Sequence, residues 1–403
     1  MLYNKAMKIG IYGGTFDPIH LGHIAIAKAV RKELGLDRMY FVVAADPPHK
    51  PDNSRTPAQL RLAMADATLV RERGLLASDL EIIRGGKSYT VETLAEFKRI
   101  FPRAKLHFIV GADMLANFPT WYKPDEILSY AVLTAVQREG QAEDLPALAA
   151  EIEARFGGKV VISNACGPEI SSTEVRRRMA EAEPIDDIVP TETELFIYEN
   201  LLYAPEELKA YYAKLSADLD PSRLRHSMLT VREAIRLAAH YGLDTKKARL
   251  CAMLHDCAKL KKELLQERMD KLGFVPTEEE KENPYLIHSR LGAVAARADY
   301  GIDDPEILRA IELHTLGSAD MTPFDEVIFL ADKLEPTRDY RKIASIRRLA
   351  YRDMNAAVAA VIRNNIAYNE SRGKSVHKTT YETLAAIESR IGPKQKKHTD
   401  TEE

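Results

Sequence analysis

The sequence predicts an α/β half, built on a doubly wound parallel sheet, followed by an all-α half. Between residues 8 and 200, short apolar runs alternate with stretches of helical periodicity, the pattern of parallel strands joined by crossover helices. From about 205 to 390, apolar residues recur almost solely at helical spacing. A glycine-rich turn, Gly13-Gly14, sits between the first apolar run and the first helical stretch.

In chain order, strands are expected at 8–12, 39–43, 105–110, 131–136 and 159–162, with helices near 21–34, 57–73, 90–101, 144–156 and 172–180. In such a sheet, ligands bind beyond the carboxyl ends of the strands. The first domain is taken as 1–203. Pro205 opens a second, 205–390, with helices expected at 206–218, 222–240, 245–258, 286–299, 304–314, 324–333 and 342–368. The polar stretch 391–403 is expected to be a disordered tail. Met7 directly precedes the first strand, and residues 1–6 are expected to be dispensable.

Length and composition narrow the function classes. The 403 residues suffice for two or three domains, and 45% hydrophobic with 29% charged residues is an ordinary globular balance. A net charge of −3 argues for small substrates rather than nucleic acid or a membrane surface. Cys166, Cys251 and Cys257 share no CxxC spacing, which suits a reducing cytoplasm. No run of 18 apolar residues and no signal-peptide pattern is present. A homo-oligomer is compatible with all of this.

The stretch Gly13-Gly14-Thr15-Phe16-Asp17-Pro18-Ile19-His20-Leu21-Gly22-His23 carries the strongest chemical signal. Glycine lets the backbone approach a ligand closely, and a helix start offers N–H groups and a positive dipole end to phosphate. His20 and His23 can donate to phosphate oxygens and to charge developing at phosphorus; the plainer reading is a helix cap. Three other segments can meet this turn. Ile170-Ser171-Ser172-Thr173-Glu174-Val175-Arg176 reads as a capped helix start that also suits a phosphate, with Arg176 adding a forked cation. Pro47-Pro48-His49-Lys50 is a stiff loop from which Lys50 can reach a polyphosphate, although loop lysines are commonly just solvated. Gly111-Ala112-Asp113 precedes Trp121, the one tryptophan, which either fills core or stacks on a flat ring that Tyr89-Thr90 can also contact.

Together these motifs resemble the nicotinate-nucleotide adenylyltransferases of the nucleotidyltransferase superfamily, from about residue 8 to Tyr203. The related phosphopantetheine adenylyltransferases typically carry Thr where His20 stands and lack the G-A-D…W segment. The resemblance implies that Gly13, Gly14, Thr15, Phe16, His20, His23, Lys50, Ser172 and Arg176 serve ATP. It implies that Tyr89, Thr90, Asp113 and Trp121 surround nicotinate mononucleotide, with Mg²⁺ on the triphosphate.

The helical half carries His226, His255-Asp256, His288, His314 and Asp332. Imidazole and carboxylate together suit iron, manganese or zinc, and a carboxylate beside a histidine ligand can bridge two ions. Any one of these histidines alone would read as a core residue. Asp256 behind the apolar run Ala252-Met253-Leu254 is harder to place without a partner. The H…HD…D order resembles the HD superfamily of metal-dependent phosphohydrolases. With H-D-C-A-K and A-D-K-L-E-P, it is similar to the bacterial HD-type hydrolases that split diadenosine tetraphosphate symmetrically into two ADP. That resemblance covers about 205–385. It implies one divalent ion, iron foremost, on His226, His255, Asp256 and Asp332, and a second on His288 and His314, with Asp256 bridging. Lys259 is a candidate phosphate contact, or else a partner for a nearby acid. Two other readings of this half are a phosphodiesterase for another signalling nucleotide and a non-catalytic, metal-binding regulatory module.

Overall fold

The computed structural model describes residues 6–46, 55–136 and 144–391. Six strands form one parallel sheet: β1 (Lys8–Gly14), β2 (Arg38–Val43), β3 (Leu75–Ser78), β4 (Lys105–Gly111), β5 (Ala131–Val136) and β6 (Val160–Ser163). Their order is β3-β2-β1-β4-β5-β6, so the winding reverses between β1 and β4. Helices cross over between the strands, and the apolar runs are buried: Ile9, Ile11, Phe41, Val43, Leu133 and Ala135 have no exposed surface. β1 and β4 run in register through Tyr12 and Ile109. Gly13-Gly14 and Gly111 therefore emerge side by side at the carboxyl edge, where the strand order turns.

β3 escapes the sequence pattern because it is a four-residue edge strand with Leu75 alone fully buried. The expected 57–73 helix is shorter, Ala58–Leu69, and the last strand lies one residue later than expected.

The second half is helical. Several helices begin with the capping chemistry that their sequences advertise: Asp220 before Pro221, Asp304 before Pro305 and Thr322 before Pro323 each accept backbone N–H groups of the first turn. The expected 342–368 helix is two, Ile343–Leu349 and Met354–Ser371, because Asp353 caps a new start by accepting from the Ala356 amide. The expected 245–258 helix ends at Leu254, which frees Asp256 from the helical direction. Lys262–Leu272 and Lys378–Arg390 are helices that the apolar pattern does not announce. The first buries Met269 alone, and the second presents Thr380 and Thr383 inward, so neither shows an apolar stripe.

The chain divides into two compact units, Met1–Arg177 with Ile185–Ile197, and Arg178–Pro184 with Tyr198–Glu403. The boundary thus differs from a single cut near 203. Buried Arg249 explains part of this: its guanidinium donates to the Met179 and Ala180 carbonyls at 2.9 and 3.0 Å, tying that segment into the helical unit. The expected tail lies outside the described residues, apart from Ile391. No described helix is long and apolar enough to cross a membrane.

Helix Pro323–Leu334, which carries Asp332, is fastened at its other end by Glu326, whose carboxylate accepts from Arg390 at 2.8 Å. Burial pushes the Glu326 carboxyl up from 4.5 to about 7, and Arg390 offsets this only in part. A carboxyl with a raised folded-state pKa adds stability below its unfolded pKa and loses it as pH rises through the folded one. Wild-type protein should therefore lose about 3 kcal/mol relative to Glu326→Gln between pH 4.5 and pH 8. Paired denaturation curves across that range check it, and a pH-independent difference would refute the raised value.

Candidate active sites

The first candidate site lies where β1 and β4 end. After Gly14 the backbone turns sharply, and Phe16 adopts a left-handed φ of 47°. A Cβ on Gly14 would lie 2.9 Å from the Phe16 ring, so this turn requires glycine. Phe16 is 2% exposed and packs on Tyr12, His23 and Phe41, so its ring belongs to the core. The turn is braced from below by Arg61, a buried side chain that donates to the Thr15 and Thr56 carbonyls at 2.7 and 2.8 Å. Sequence reasoning missed Arg61; an arginine inside a helix gives no local sign of being buried.

His20 stands at the N-cap of helix Leu21–Leu34, and its backbone N–H donates to His23 Nδ1 at 3.2 Å. A neutral His23 therefore carries its proton on Nε2. The two imidazoles stack with centroids 3.6 Å apart. The expected array of open amides is reduced. The Leu21 N–H donates to the Ile188 carbonyl, and those of His23 and Ile24 to the His20 carbonyl. The capping geometry expected of these histidines is present.

The segment 170–176 meets this turn. Ser171 caps the helix by accepting from the Glu174 amide, Ser172 donates to the Pro18 carbonyl at 2.9 Å, and Arg176 donates to the Asp17 carbonyl at 2.6 Å. Asp113 opens the short helix after β4, exposed at the sheet's edge. Trp121 is half-buried on Phe108 and Phe118, with centroids 6.0 and 5.5 Å away. Tyr89 and Thr90 are also half-buried, and Tyr89 lies against exposed Tyr122 at 4.9 Å. Ser88, whose hydroxyl accepts from the Ala45 and Asp46 amides, pins that segment to the end of β2. Lys50 lies outside the described residues.

The second candidate site is inside the helical unit. Helices Pro221–His240, Ile287–Tyr300 and Pro323–Leu334 supply His226, His288 and Asp332. The C-terminal ends of Thr245–Leu254 and Pro305–Leu313 supply His255-Asp256 and His314. All six are buried, none more than 7% exposed. Asp256 lies at the middle. Its Oδ2 faces His226 Nε2 and His255 Nε2 at 3.7 and 3.5 Å, and its Oδ1 faces His288 Nε2 and His314 Nε2 at 3.5 and 3.4 Å. Asp332 Oδ1 lies 3.0 Å from His226 Nε2 and 3.8 Å from His255 Nε2.

The outer ring nitrogens decide what this centre can bind. Nδ1 of His255, His288 and His314 each points at a backbone carbonyl three residues earlier, at 2.7, 2.6 and 2.6 Å. Nδ1 of His226 instead faces Glu335 at 3.1 Å. Those acceptors place each ring proton on Nδ1 and leave four Nε2 lone pairs aimed inward. Nε2 of His288 and of His314 are 3.3 Å apart, both beside a carboxylate oxygen, with the Thr315 hydroxyl within reach of both. Among the described residues, buried His255 Nε2 and Asp256 Oδ1 find no hydrogen-bond partner. Acceptors facing acceptors in a buried centre fit a metal cation, and among the described residues two triads bring one ligand atom each to within 4.8 Å: His226, His255 and Asp332, and His255, Asp256 and His314.

Electrostatics agree with that donor set. Burial holds His255 below its ordinary pKa, and burial with His314 and Lys259 brings His288 down to about 3, so both are neutral donors at pH 7. Burial alone would raise Asp256 and Asp332, yet their cationic and imidazole neighbours hold both well below the carboxylate range. Burial also opposes the charge on His226, but Asp332 and Glu335 outweigh it and raise its pKa. Lys259 sits 3.5 Å from Asp256 Oδ2, which satisfies the ion-pair reading and keeps it at the site's rim. Sequence reasoning missed Glu335, Arg223 and Arg338. Glu335 is three residues after Asp332 and Arg223 three before His226, so shared helix faces were the available signal.

Residues 11–178 match the cytidylyltransferase-like family model, and residues 223–337 the HD domain model. The "probable nicotinate-nucleotide adenylyltransferase" of Trichlorobacter lovleyi is 37% identical over 213 residues, covering 49% of this chain and 100% of the relative. A counterpart in Thermus thermophilus is 40% identical over 198 residues, covering 49% of this chain and 100% of the relative. A solved structure described as a predicted HD superfamily hydrolase involved in NAD metabolism, from Clostridium acetobutylicum, is 34% identical, covers 46% of this chain and 98% of its own, and has a TM-score of 0.43. With relatives matched over their whole length at this identity, the chain belongs, through its α/β half, to the nicotinate-nucleotide adenylyltransferase family, joined here to a helical HD domain.

Proposed function

We propose that the chain is a bifunctional enzyme of adenylated phosphates. Its α/β unit transfers AMP from ATP to nicotinate mononucleotide, giving nicotinate adenine dinucleotide and pyrophosphate. The observation that carries this is the meeting of the Gly13-to-His23 turn with Ser172 and Arg176 at the sheet's switch point. The reaction needs no covalent intermediate. A phosphate oxygen of the mononucleotide attacks the α-phosphorus in line, and the bond to the bridging oxygen of pyrophosphate breaks. Catalysis is positioning and charge stabilisation. His23 Nε2–H and His20 line the turn and supply donors to the developing charge; Arg61, Ser172 and Arg176 keep the turn's carbonyls in place. Mg²⁺ on the triphosphate would add charge neutralisation. Asp113, Tyr89, Thr90 and Trp121 supply the rim for the pyridine ring.

The HD domain, in this proposal, hydrolyses diadenosine tetraphosphate symmetrically to two ADP. The inward Nε2 set around Asp256 carries this reading. His226, His255, Asp256 and Asp332 would hold one divalent ion, and Asp256, His288 and His314 a second. The mixed nitrogen and oxygen donors suit iron, manganese or zinc, and such a pair supplies an activated water and clamps a phosphoryl group. Asp256 supplies one oxygen to each side, and Glu335 fixes the tautomer and direction of His226. The chain's location is proposed as cytoplasmic.

His20→Ala should lower the adenylyl-transfer kcat by about 100-fold or more, with the fold intact by circular dichroism. A loss below about tenfold would remove His20 from the chemistry. The intact protein, supplied with Fe²⁺ or Mn²⁺, should convert diadenosine tetraphosphate to ADP alone, and Asp256→Asn should abolish this. AMP plus ATP as products would contradict the symmetric cut, and no turnover would exclude this substrate. Glu335→Gln should weaken metal binding roughly 10–100-fold in a titration, while leaving adenylyl transfer unchanged. Unaltered metal affinity would show that His226 needs no orienting carboxylate.

A further inference from the structure

The two central carboxylates of the HD domain are ringed by four cationic side chains. Asp256 Oδ2 accepts from Arg223 at 2.9 Å and faces Lys259 at 3.5 Å. Asp332 Oδ1 accepts from Arg338 at 2.6 Å, and Asp332 Oδ2 accepts from Lys333. Arg338 also reaches within 3.4 Å of His226 Nε2. Arg223 and Arg338 thus sit on the two carboxylates that face His226 Nε2.

The cations differ from the inner residues in one respect. Their side chains are 28%, 38%, 35% and 21% exposed for Arg223, Lys259, Arg338 and Lys333, whereas the carboxylates they touch are 1% and 7% exposed. They form the mouth over a buried floor. The two arginines also compete with a metal for its oxygens, Arg223 for Asp256 Oδ2 and Arg338 for Asp332 Oδ1. An ion pair there is incompatible with full use of those oxygens as metal ligands. Once the carboxylates serve metals, Arg223 gives up Asp256 and Arg338 gives up Asp332 Oδ1, while Arg338 Nε stays on the Asp332 carbonyl and beside Glu335; the terminal guanidinium nitrogens of both can then take a ligand anion.

The charge balance indicates which ligand. Four side-chain cations and two divalent ions face Asp256, Asp332 and Glu335, an excess of about five positive charges. A phosphate chain carries roughly one negative charge per phosphoryl group, so a tetraphosphate bridge offsets about four and a cyclic dinucleotide about two. Forked guanidinium groups bind such oxygens in pairs.

Resting on the dinuclear reading above, we infer that Arg223 and Arg338 are specificity-determining residues that exchange the metal carboxylates for a polyphosphate chain, selecting substrates by phosphate number. The test is calorimetry on the full chain loaded with Mn²⁺, using tripolyphosphate and orthophosphate as probes, with Arg223→Ala, Arg338→Ala and the corresponding Lys variants. The wild type should bind tripolyphosphate at least about tenfold more tightly than orthophosphate. Each Ala variant should lose about tenfold or more of the tripolyphosphate affinity, with Mn²⁺ affinity unchanged or raised, and each Lys variant should recover part of the loss. Mn²⁺ affinity falling in step with tripolyphosphate affinity would make the arginines supports of the metal ligands and overturn the inference. Equal binding of the two anions, or Ala variants that bind as the wild type does, would overturn it as well. If the arginine dependence holds while diadenosine tetraphosphate is left uncut, the clamp stands and the substrate reading falls.

Discussion

The organisation of the HD domain follows from burying one carboxylate. Asp256 is fully inaccessible, and an ionised carboxylate in that position costs several kcal/mol unless it is matched. Four imidazole nitrogens, Arg223 and Lys259 all converge on it. Four helices or helix ends must approach one point to supply them. The carbonyls three residues before His255, His288 and His314 then hold the rings so that only Nε2 faces inward. Packing and chemistry are therefore the same constraint here, since any helix that shifted would leave a buried acceptor or charge without its partner.

The α/β unit solves a different problem. Its candidate site is a set of backbone turns at the edge of a sheet, and most of the side chains around it act on main-chain groups. Arg61, Ser172 and Arg176 all donate to carbonyls of the same turn. The turn is steep enough to put Phe16 in a left-handed conformation, and several strong donors hold it there. A site for charge that appears only during reaction gains from donors fixed in advance. A site for resident cations gains from acceptors fixed in advance, and the HD domain has that form.

Much of this is legible in the residues. The alternation of strands and helices, the Gly13-Gly14 turn, the Asp-Pro helix starts and the buried His255-Asp256 pair are each written in neighbouring residues. The sites also hold surprises of a common kind. The ring of Phe16, expected as a ligand contact, packs in the core, and the amides of Leu21, His23 and Ile24 are consumed within the protein. β3 and the helices Lys262–Leu272 and Lys378–Arg390 leave little apolar pattern because they bury few apolar side chains.

The sequence by itself determined the two architectures and nominated most of the candidate site residues, because caps, turns and apolar periods act over a few positions. Only the tertiary structure decided that the two oxygens of Asp256 face separate imidazole pairs, and that Glu335 turns His226 inward from 109 residues away. It alone brought Arg223 and Arg338 to the two carboxylates beside one histidine. Such placements depend on how the helices pack side by side, and nothing in the local spacing of residues encodes distances across a packed core.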